Sequence, residues 1–228
     1  MTVVDFRIVV PFSVEEYSRG QRYLVSRKTL DEVKSGQGID IRENCDQVRD
    51  GVKGKFTYKV IHIGKKIPKI IRWAIPKGIK EIHEESFNAY PVSETQLSIP
   101  GLSNRFSCQI ISRYFDYNPK GGFKSNPYNL PQSQLEDRIV YYIDICNAKP
   151  LDLAHDPRVW ASSSRNFGPL APTSKIENPD QPPSWIANYS GPLTCCCKLV
   201  MVDAHVEGVS KKICDFVCWN ICKNLFLD

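Results

Sequence analysis

Residues 55–63 read K-F-T-Y-K-V-I-H-I and have the alternating pattern of a β-strand in which neither face is uniformly polar. Successive side chains of a strand point to opposite faces, so Lys55, Thr57 and Lys59 share one face with two isoleucines. The opposite face carries Phe56, Tyr58, Val60 and His62. One interpretation is that the first face lines a cavity whose occupant is polar at one end and apolar at the other. The alternative is an ordinary half-exposed strand, in which Lys59 extends to water.

The composition is that of a globular protein of one or two domains. The chain has 228 residues, of which 42% are hydrophobic and 24% charged. No run approaches the roughly 20 apolar residues that span a bilayer, and Asp5 and Arg7 interrupt the apolar N-terminus, unlike the core of a signal peptide. The nine cysteines are an odd number, which favours reduced thiols. We therefore expect a cytoplasmic protein.

The basic residues are unevenly distributed along the chain. The net charge of +5 is too small for a dedicated nucleic-acid binder, but residues 65–80 read K-K-I-P-K-I-I-R-W-A-I-P-K-G-I-K and contain no acid. Lys66, Lys69, Arg72 and Trp73 could lie at an anionic membrane interface, with cations near the head groups and apolar side chains inserted. The alternative, equally open, is a solvated segment that covers the core.

The order of predicted elements indicates an α+β fold. A strand over about 3–10 ends at Pro11, and the capping box that begins at Ser13 starts a helix that we expect to run to about Arg27. Further strands are predicted at about 39–43, 55–63, 82–90, 93–99, 106–115, 138–146 and 193–205. Helical spacing of apolar residues returns at about 208–227. This order predicts a mostly antiparallel sheet with helices on one face.

Motifs of enzymes are absent from the sequence. It contains no G-x-x-x-x-G-K-[ST] phosphate loop, no dinucleotide fingerprint and no G-x-S-x-G elbow. The pairs His83-Glu84 and His155-Asp156 place acid and base side by side, but adjacent strand residues point to opposite faces. We therefore predict that the protein is not an enzyme and needs no cofactor. A small-molecule enzyme that uses His62 or His83 remains the most distant alternative.

The cysteines near the C-terminus allow two interpretations. Residues 195–197 are three consecutive cysteines, and Cys214, Cys218 and Cys222 follow at a spacing that places them on one helix face. Structural zinc sites usually use tight C-x2-4-C pairs whose turn brings the two sulfurs together, and neither the adjacent cysteines nor the helical ones have that form. Because cysteine is also a small hydrophobic residue, core packing is favoured over a metal site. Redox sensing or S-acylation of these thiols remains open.

Several separated motifs resemble those of the phosphatidylinositol transfer proteins. They are V-P-F-S-V-E-E-Y-x-x-G-Q near the N-terminus, K-G-K-F-T-Y-K-V-I-H-I, I-H-E-E-S-F-N-A-Y-P, G-P-L-A-P and C-K-L-V-M-V, in the same order and spacing as in that family. The resemblance covers nearly the whole chain. It implies a single lipid-binding domain over residues 1–228 with the helix-grip (START-like) fold, in which a curved sheet and long helices enclose one phospholipid.

The resemblance also implies a site for the lipid head group. It consists of seven polar residues: Gln21, Thr57, Lys59, Asn88, Thr95, Ser112 and Lys198. The family's inositol-contacting threonine and lysine correspond to Thr57 and Lys59, and Ser112 stands where a threonine is usual. A buried phosphodiester needs donors and positive charge, which these residues can supply. The expected cargo is phosphatidylinositol or phosphatidylcholine.

Two departures from the family pattern carry expectations of their own. The family typically continues beyond the position of Asp228 with a helical segment that closes the cavity and supplies a glutamate, so we expect a short form with a more open pocket. The family's membrane-inserting tryptophan pair aligns with Val206-Glu207, and Glu207 is a poor anchor. The segment around Trp73 is then expected to be the main docking surface.

These observations predict a monomer that carries one phospholipid between membranes. It would bind membrane surfaces transiently, as a peripheral protein, without covalent chemistry. The alternative from another class is an interaction module that holds a phosphoinositide or other lipid as a signal and recruits a partner without transport.

Overall fold

The computed structural model describes residues 1–34, 38–62, 80–102, 104–146, 156–159, 161, 169–170 and 181–225. The strands are β1 Thr2–Val10, β2 Ile39–Arg49, β3 Val52–His62, β4 Glu81–Ala89, β5 Val92–Ser98, β6 Phe106–Asp116, β7 Ile139–Ile143 and β8 Thr194–Ala204. The helices are α1 Val14–Lys34, α2 Gln132–Glu136 and α3 Ser210–Leu225, and a 3₁₀ helix covers Ser184–Asn188.

Helix α1 begins where the capping box predicts. The Ser13 backbone N–H donates to Glu16 Oε2 at 3.0 Å, and the Glu16 backbone N–H donates to Ser13 Oγ at 3.3 Å. The helix continues beyond the predicted end at Arg27 to Lys34. The longer helix is reasonable because no glycine or proline interrupts the chain between Arg27 and Gly36.

All eight strands form one sheet, which is curved and not closed. Their order is β2-β3-β4-β5-β6-β8-β1-β7, and every neighbouring pair is antiparallel except β1 and β7. The predicted α+β class with a mostly antiparallel sheet is confirmed. The parallel pair is possible because a long stretch of chain separates β1 from β7, as parallel neighbours require.

Helices α1 and α3 pack on the same face of this sheet, which we call the inner face. Helix α3 contacts β8 and β1, where its Ile213 joins Val200 and Phe6 in the main apolar cluster. Helix α1 meets β6 at Tyr114. Tyr114 pairs with Cys196, which lies on the same face of β8 as Val200 because their positions differ by four, an even number. The two helices therefore flank one surface.

The outer face of the sheet is covered at its centre by the chain that follows β6. Tyr128 packs there with Val3 and Leu199. The same region buries Asp5, whose carboxylate accepts a hydrogen bond from Tyr128 Oη at 2.7 Å and another from Arg7 Nε at 3.0 Å. Leu199 and Asp5 are both fully buried. The centre of the sheet is thus packed on both sides.

The C-terminal cysteines pack in the core, as predicted. The side chains at 195–197 are buried in β8, and Cys214 and Cys218 are buried in α3 beside Cys108. Burial raises the pKa of Cys108, Cys196 and Cys218 to about 12 each, which keeps these thiols neutral. In the described part of the chain, no three His, Cys, Asp or Glu side chains are grouped so that they could hold a metal ion.

Among the described residues, no helix combines the length and the apolar composition that crossing a bilayer requires.

Candidate functional site

The face of β3 that carries Thr57 and Lys59 is part of the inner face of the sheet. Thr57 pairs with Ser86 and Lys59 pairs with Glu84 on β4. Directly paired residues of neighbouring antiparallel strands point to the same side, so their positions can be followed strand by strand across the sheet. The register continues without a shift through β4, β5, β6 and β8. It arranges the inner face in rows that run across the strands.

The first row consists of three hydroxyl side chains. Thr57 on β3 pairs with Ser86 on β4, and Ser86 pairs with Thr95 on β5. Ser86 Oγ and Thr95 Oγ1 lie 2.8 Å apart and share a hydrogen bond. The row continues to Ile110 and Val200, which belong to the apolar cluster beneath α3. The hydroxyls therefore border the apolar part of the inner face.

The second row is polar as far as β8, where it ends in a cation. Asn88 pairs with Ser93, Ser93 with Ser112 and Ser112 with Lys198. Ser112 is buried, Ser93 and Lys198 are half-buried, and Asn88 is exposed. Beyond Lys198 the row reaches Phe6, which is buried against α3. A positive charge thus lies where the polar and apolar parts of the inner face meet.

The third row contains an ion pair. Lys59 Nζ lies 3.2 Å from Glu84 Oε1, with 23% and 21% of the two side chains exposed. The next residue of the row is Leu97, and Cys108 follows in the apolar cluster. Sequence reasoning missed Glu84 as a site residue because only the pairing of β3 with β4 places it opposite Lys59. The H-E-E motif gives no register by itself.

Helix α1 lies beside these rows and contacts the sheet at a group of tyrosines. Gln21 Nε2 donates to Tyr114 Oη at 2.6 Å, and the Tyr17 ring lies 5.5 Å from the Tyr114 ring. Tyr90 stacks on Tyr114 with centroids 5.2 Å apart. Burial raises the pKa of Tyr114, and it raises the pKa of Tyr90 to about 12, so both phenols stay neutral at physiological pH. Neutral phenols add hydroxyl groups to the site without adding negative charge.

All seven polar residues predicted from the sequence lie on the inner face or on the side of α1 that contacts it. Six are on strands: Thr57, Lys59, Asn88, Thr95, Ser112 and Lys198. Gln21 reaches the same surface through Tyr114. The arrangement presents hydroxyl and amide groups, one cation paired with a carboxylate, and a second cation beside an apolar wall. Such a surface suits an amphipathic anion.

Two other groups of predicted residues lie elsewhere. Lys66, Lys69, Arg72 and Trp73 lie outside the described residues. His62 and His83 are on the outer face, where His62 Nε2 lies 3.1 Å from Asp40 Oδ2 and Tyr58 Oη lies 2.9 Å from His83 Nδ1. Neither histidine points toward the inner face.

Comparison with known proteins gives consistent matches. A family model described as "Phosphatidylinositol transfer protein" matches residues 1–228. Phosphatidylinositol transfer protein 1 of Dictyostelium discoideum is 31% identical over 221 residues, which cover 95% of this chain and 79% of the relative. The human phosphatidylinositol transfer protein beta isoform is 29% identical over 220 residues, with coverage of 94% and 78%. Membrane-associated phosphatidylinositol transfer protein 1 of Mus musculus is 32% identical over 225 residues, 95% of this chain but 17% of the relative. In each case the similarity extends over almost the whole of this chain.

Proposed function

Because this chain belongs to the phosphatidylinositol transfer protein family, we propose that it binds a single phospholipid against its inner face and transfers it between membranes. The family is one of lipid transfer proteins and not of enzymes, so binding and release are the whole of the activity. The proposed cargo is phosphatidylinositol or phosphatidylcholine. The protein would act as a monomer on the cytoplasmic side, bound to membranes only peripherally and transiently.

The observation that carries this proposal is the change in polarity along the inner face. The rows of hydroxyl, amide and cationic groups on β3, β4 and β5 lead directly into the apolar cluster shared by β8, β1 and α3. A phospholipid has the same order of groups, with a polar head, an anionic phosphodiester and apolar tails. The proposal matches the head to the first region and the tails to the second.

Each polar row would contact a different part of the head group. Lys198 and Ser112 are proposed to bind the phosphodiester, since Lys198 is a half-buried cation beside the apolar wall. Thr57, Lys59 and Asn88 are proposed to contact the inositol ring. Gln21 and Thr95 would supply further polar contacts. Glu84 joins this set because its carboxylate holds Lys59 and can accept hydrogen bonds from ring hydroxyls.

A vesicle transfer assay tests the proposal. Donor vesicles would carry radiolabelled phosphatidylinositol or phosphatidylcholine, and unlabelled acceptor vesicles would be separated after incubation with the protein. We expect each protein molecule to move many lipids, so that transfer continues at protein amounts far below those of the lipid. Binding without such turnover would contradict transfer and favour the alternative of a lipid-sensing module that recruits a partner.

Substitution of the residues assigned to the inositol ring should change selectivity. Thr57→Glu, which replaces a hydroxyl by a larger carboxylate, and Lys59→Ala, which removes a charged hydrogen-bond donor, are each expected to weaken phosphatidylinositol binding by roughly tenfold or more, with a smaller effect on phosphatidylcholine. The esterified choline of phosphatidylcholine has no free hydroxyl for these side chains to contact. Lipid loading from vesicles of each type measures the change.

Lys55→Ala is the matched control for Lys59→Ala. Lys55 is on the same face of the same strand, but it is 49% exposed and pairs with Asp46 at the surface. We expect Lys55→Ala to bind both lipids as the wild type does. An equal loss of both lipids in Thr57→Glu and Lys59→Ala would contradict the assignment of these residues to the inositol ring.

The basic segment is proposed to bind the membrane on the basis of its sequence. Reversing the charge of Lys66, Lys69 and Arg72 together should weaken binding to vesicles rich in phosphatidylserine by at least about tenfold, since each cation near an anionic surface contributes about 1 kcal/mol. Sedimentation with vesicles measures binding, and neutral vesicles are the control. Unchanged binding to the anionic vesicles would rule this surface out.

A further inference from the structure

Ser86 occupies the centre of the polar part of the inner face, although no comparison or motif assigns it a role. On β4 it lies between Glu84 and Asn88, which share its face because they are two residues away. Across the strands it lies between Thr57 and Thr95. Its neighbours on all four sides are therefore residues of the proposed head-group site.

The hydrogen bond of Ser86 determines what it can offer a ligand. Its hydroxyl shares one hydrogen bond with Thr95 at 2.8 Å, and either oxygen can be the donor. A serine hydroxyl has one donor and two acceptor positions, so at least one position of Ser86 remains for a bound molecule. The same bond holds Thr95 Oγ1 beside Ser86 Oγ. Ser86 can thus bind a ligand directly and can also act by holding Thr95 in place.

The spacing of this row suits a ligand with several neighbouring hydroxyl groups. Directly paired residues on antiparallel strands have Cβ atoms about 5 Å apart, so Thr57, Ser86 and Thr95 place three hydroxyl-bearing side chains next to one another in a row. A sugar-like ring carries hydroxyls that each donate and accept, which matches side chains that do the same. A trimethylammonium group can do neither.

We propose that Ser86 is a specificity-determining residue that favours a polyol head group over one without hydroxyls. It does so by completing the row from Thr57 to Thr95 and by positioning the Thr95 hydroxyl. This inference rests on the proposed function, because it concerns the head group of the lipid cargo. It adds to the sites derived from the sequence a residue that only the strand register reveals.

Competitive loading tests the inference. Wild-type protein and Ser86→Ala would be incubated with vesicles that contain phosphatidylinositol, phosphatidylcholine and phosphatidic acid with identical acyl chains, and native mass spectrometry would identify the bound lipid. Loss of one or two hydrogen bonds should lower the ratio of inositol to non-inositol lipid by about threefold to tenfold. Ser86→Thr keeps the hydroxyl and should retain most of the wild-type ratio.

Ser107→Ala is the control for the loss of a serine hydroxyl. Ser107 is exposed on β6 and lies on the outer face, since the adjacent Cys108 packs in the inner apolar cluster. The ratio of inositol to non-inositol lipid bound by Ser107→Ala should equal that of the wild type.

Three results would overturn the inference. If Ser86→Ala takes up the three lipids in the wild-type ratio, Ser86 does not set specificity, although the proposed function stands. If Ser86→Ala has a lower melting temperature and loses all three lipids equally, its role is structural. If the wild-type protein takes up no phospholipid, the proposed function fails and the inference fails with it.

Discussion

Lys198→Ala should lower the affinity for phosphatidylinositol and phosphatidylcholine alike, by roughly 10-fold to 150-fold, because a hydrogen bond to a charged group contributes about 1.5–3 kcal/mol. Both lipids contain the phosphodiester to which we assign this lysine. Lys198 is half-buried on the inner face, between Ser112 and Phe6 in its row. Equilibrium loading from vesicles of each lipid measures the affinity.

Two further variants make the result specific. Lys198→Arg keeps the positive charge and should retain part of the affinity, although the larger guanidinium fits less well. Lys120→Ala removes an exposed cation from a surface turn and should change nothing. A loss limited to phosphatidylinositol in Lys198→Ala would contradict the assignment, because it would place the lysine at the inositol ring and not at the phosphodiester.

The second large effect is expected on stability. Asp5→Ala should lower the free energy of unfolding by about 3–5 kcal/mol, the usual cost of removing one partner of a buried ion pair. Asp5 is fully buried and lies within 3.3 Å of both Arg7 and Arg138. Without it, two buried guanidinium groups would lose their shared carboxylate and Tyr128 would lose its acceptor. Urea unfolding followed by circular dichroism measures the change.

Asp46→Ala is the matched control for this prediction. Asp46 also pairs with a basic residue, Lys55, but its side chain is 92% exposed. Exposed ion pairs contribute about 0–1 kcal/mol, so this variant should be nearly as stable as the wild type. If Asp5→Ala were as stable as Asp46→Ala, the buried carboxylate would not hold β1 to the chain around Tyr128.

Local patterns predicted much of the fold. The alternation in residues 55–63 identifies a strand and assigns each residue to a face, because the strand period depends only on the backbone. The capping box at Ser13 gives the start of α1 for a similarly local reason. Tyr17 and Gln21 are four positions apart, a spacing that places both on one face of that helix, and both contact Tyr114.

The sequence did not predict the residue pairs that depend on strand register and on long-range contacts. Glu84 lies opposite Lys59 only because β3 and β4 pair in one particular register. Gln21 and Tyr114 are 93 residues apart in the chain. The ion pair of Asp5 and Arg138 has no signature in the sequence, because Asp5 lies on β1, Arg138 lies just before β7, and only the final packing brings them together.

The resemblance located the proposed site better than the patterns did. Strand periodicity alone leaves Lys59 either in a cavity or extended to water, and the structure shows it half-buried in an ion pair on the inner face. The family motifs pointed to seven residues on six different elements, and the sheet register places the strand residues among them on one face. Neither approach identified Ser86, because neither the motifs nor the strand periodicity distinguish it from an ordinary strand serine.

The measurement that tests the central claim most directly is native mass spectrometry of the purified protein before and after incubation with mixed vesicles, followed by extraction and identification of the lipid. The account predicts one phospholipid bound to each chain, with a composition that changes to follow that of the vesicles. A protein that stays free of lipid, or whose bound lipid never exchanges, would contradict it.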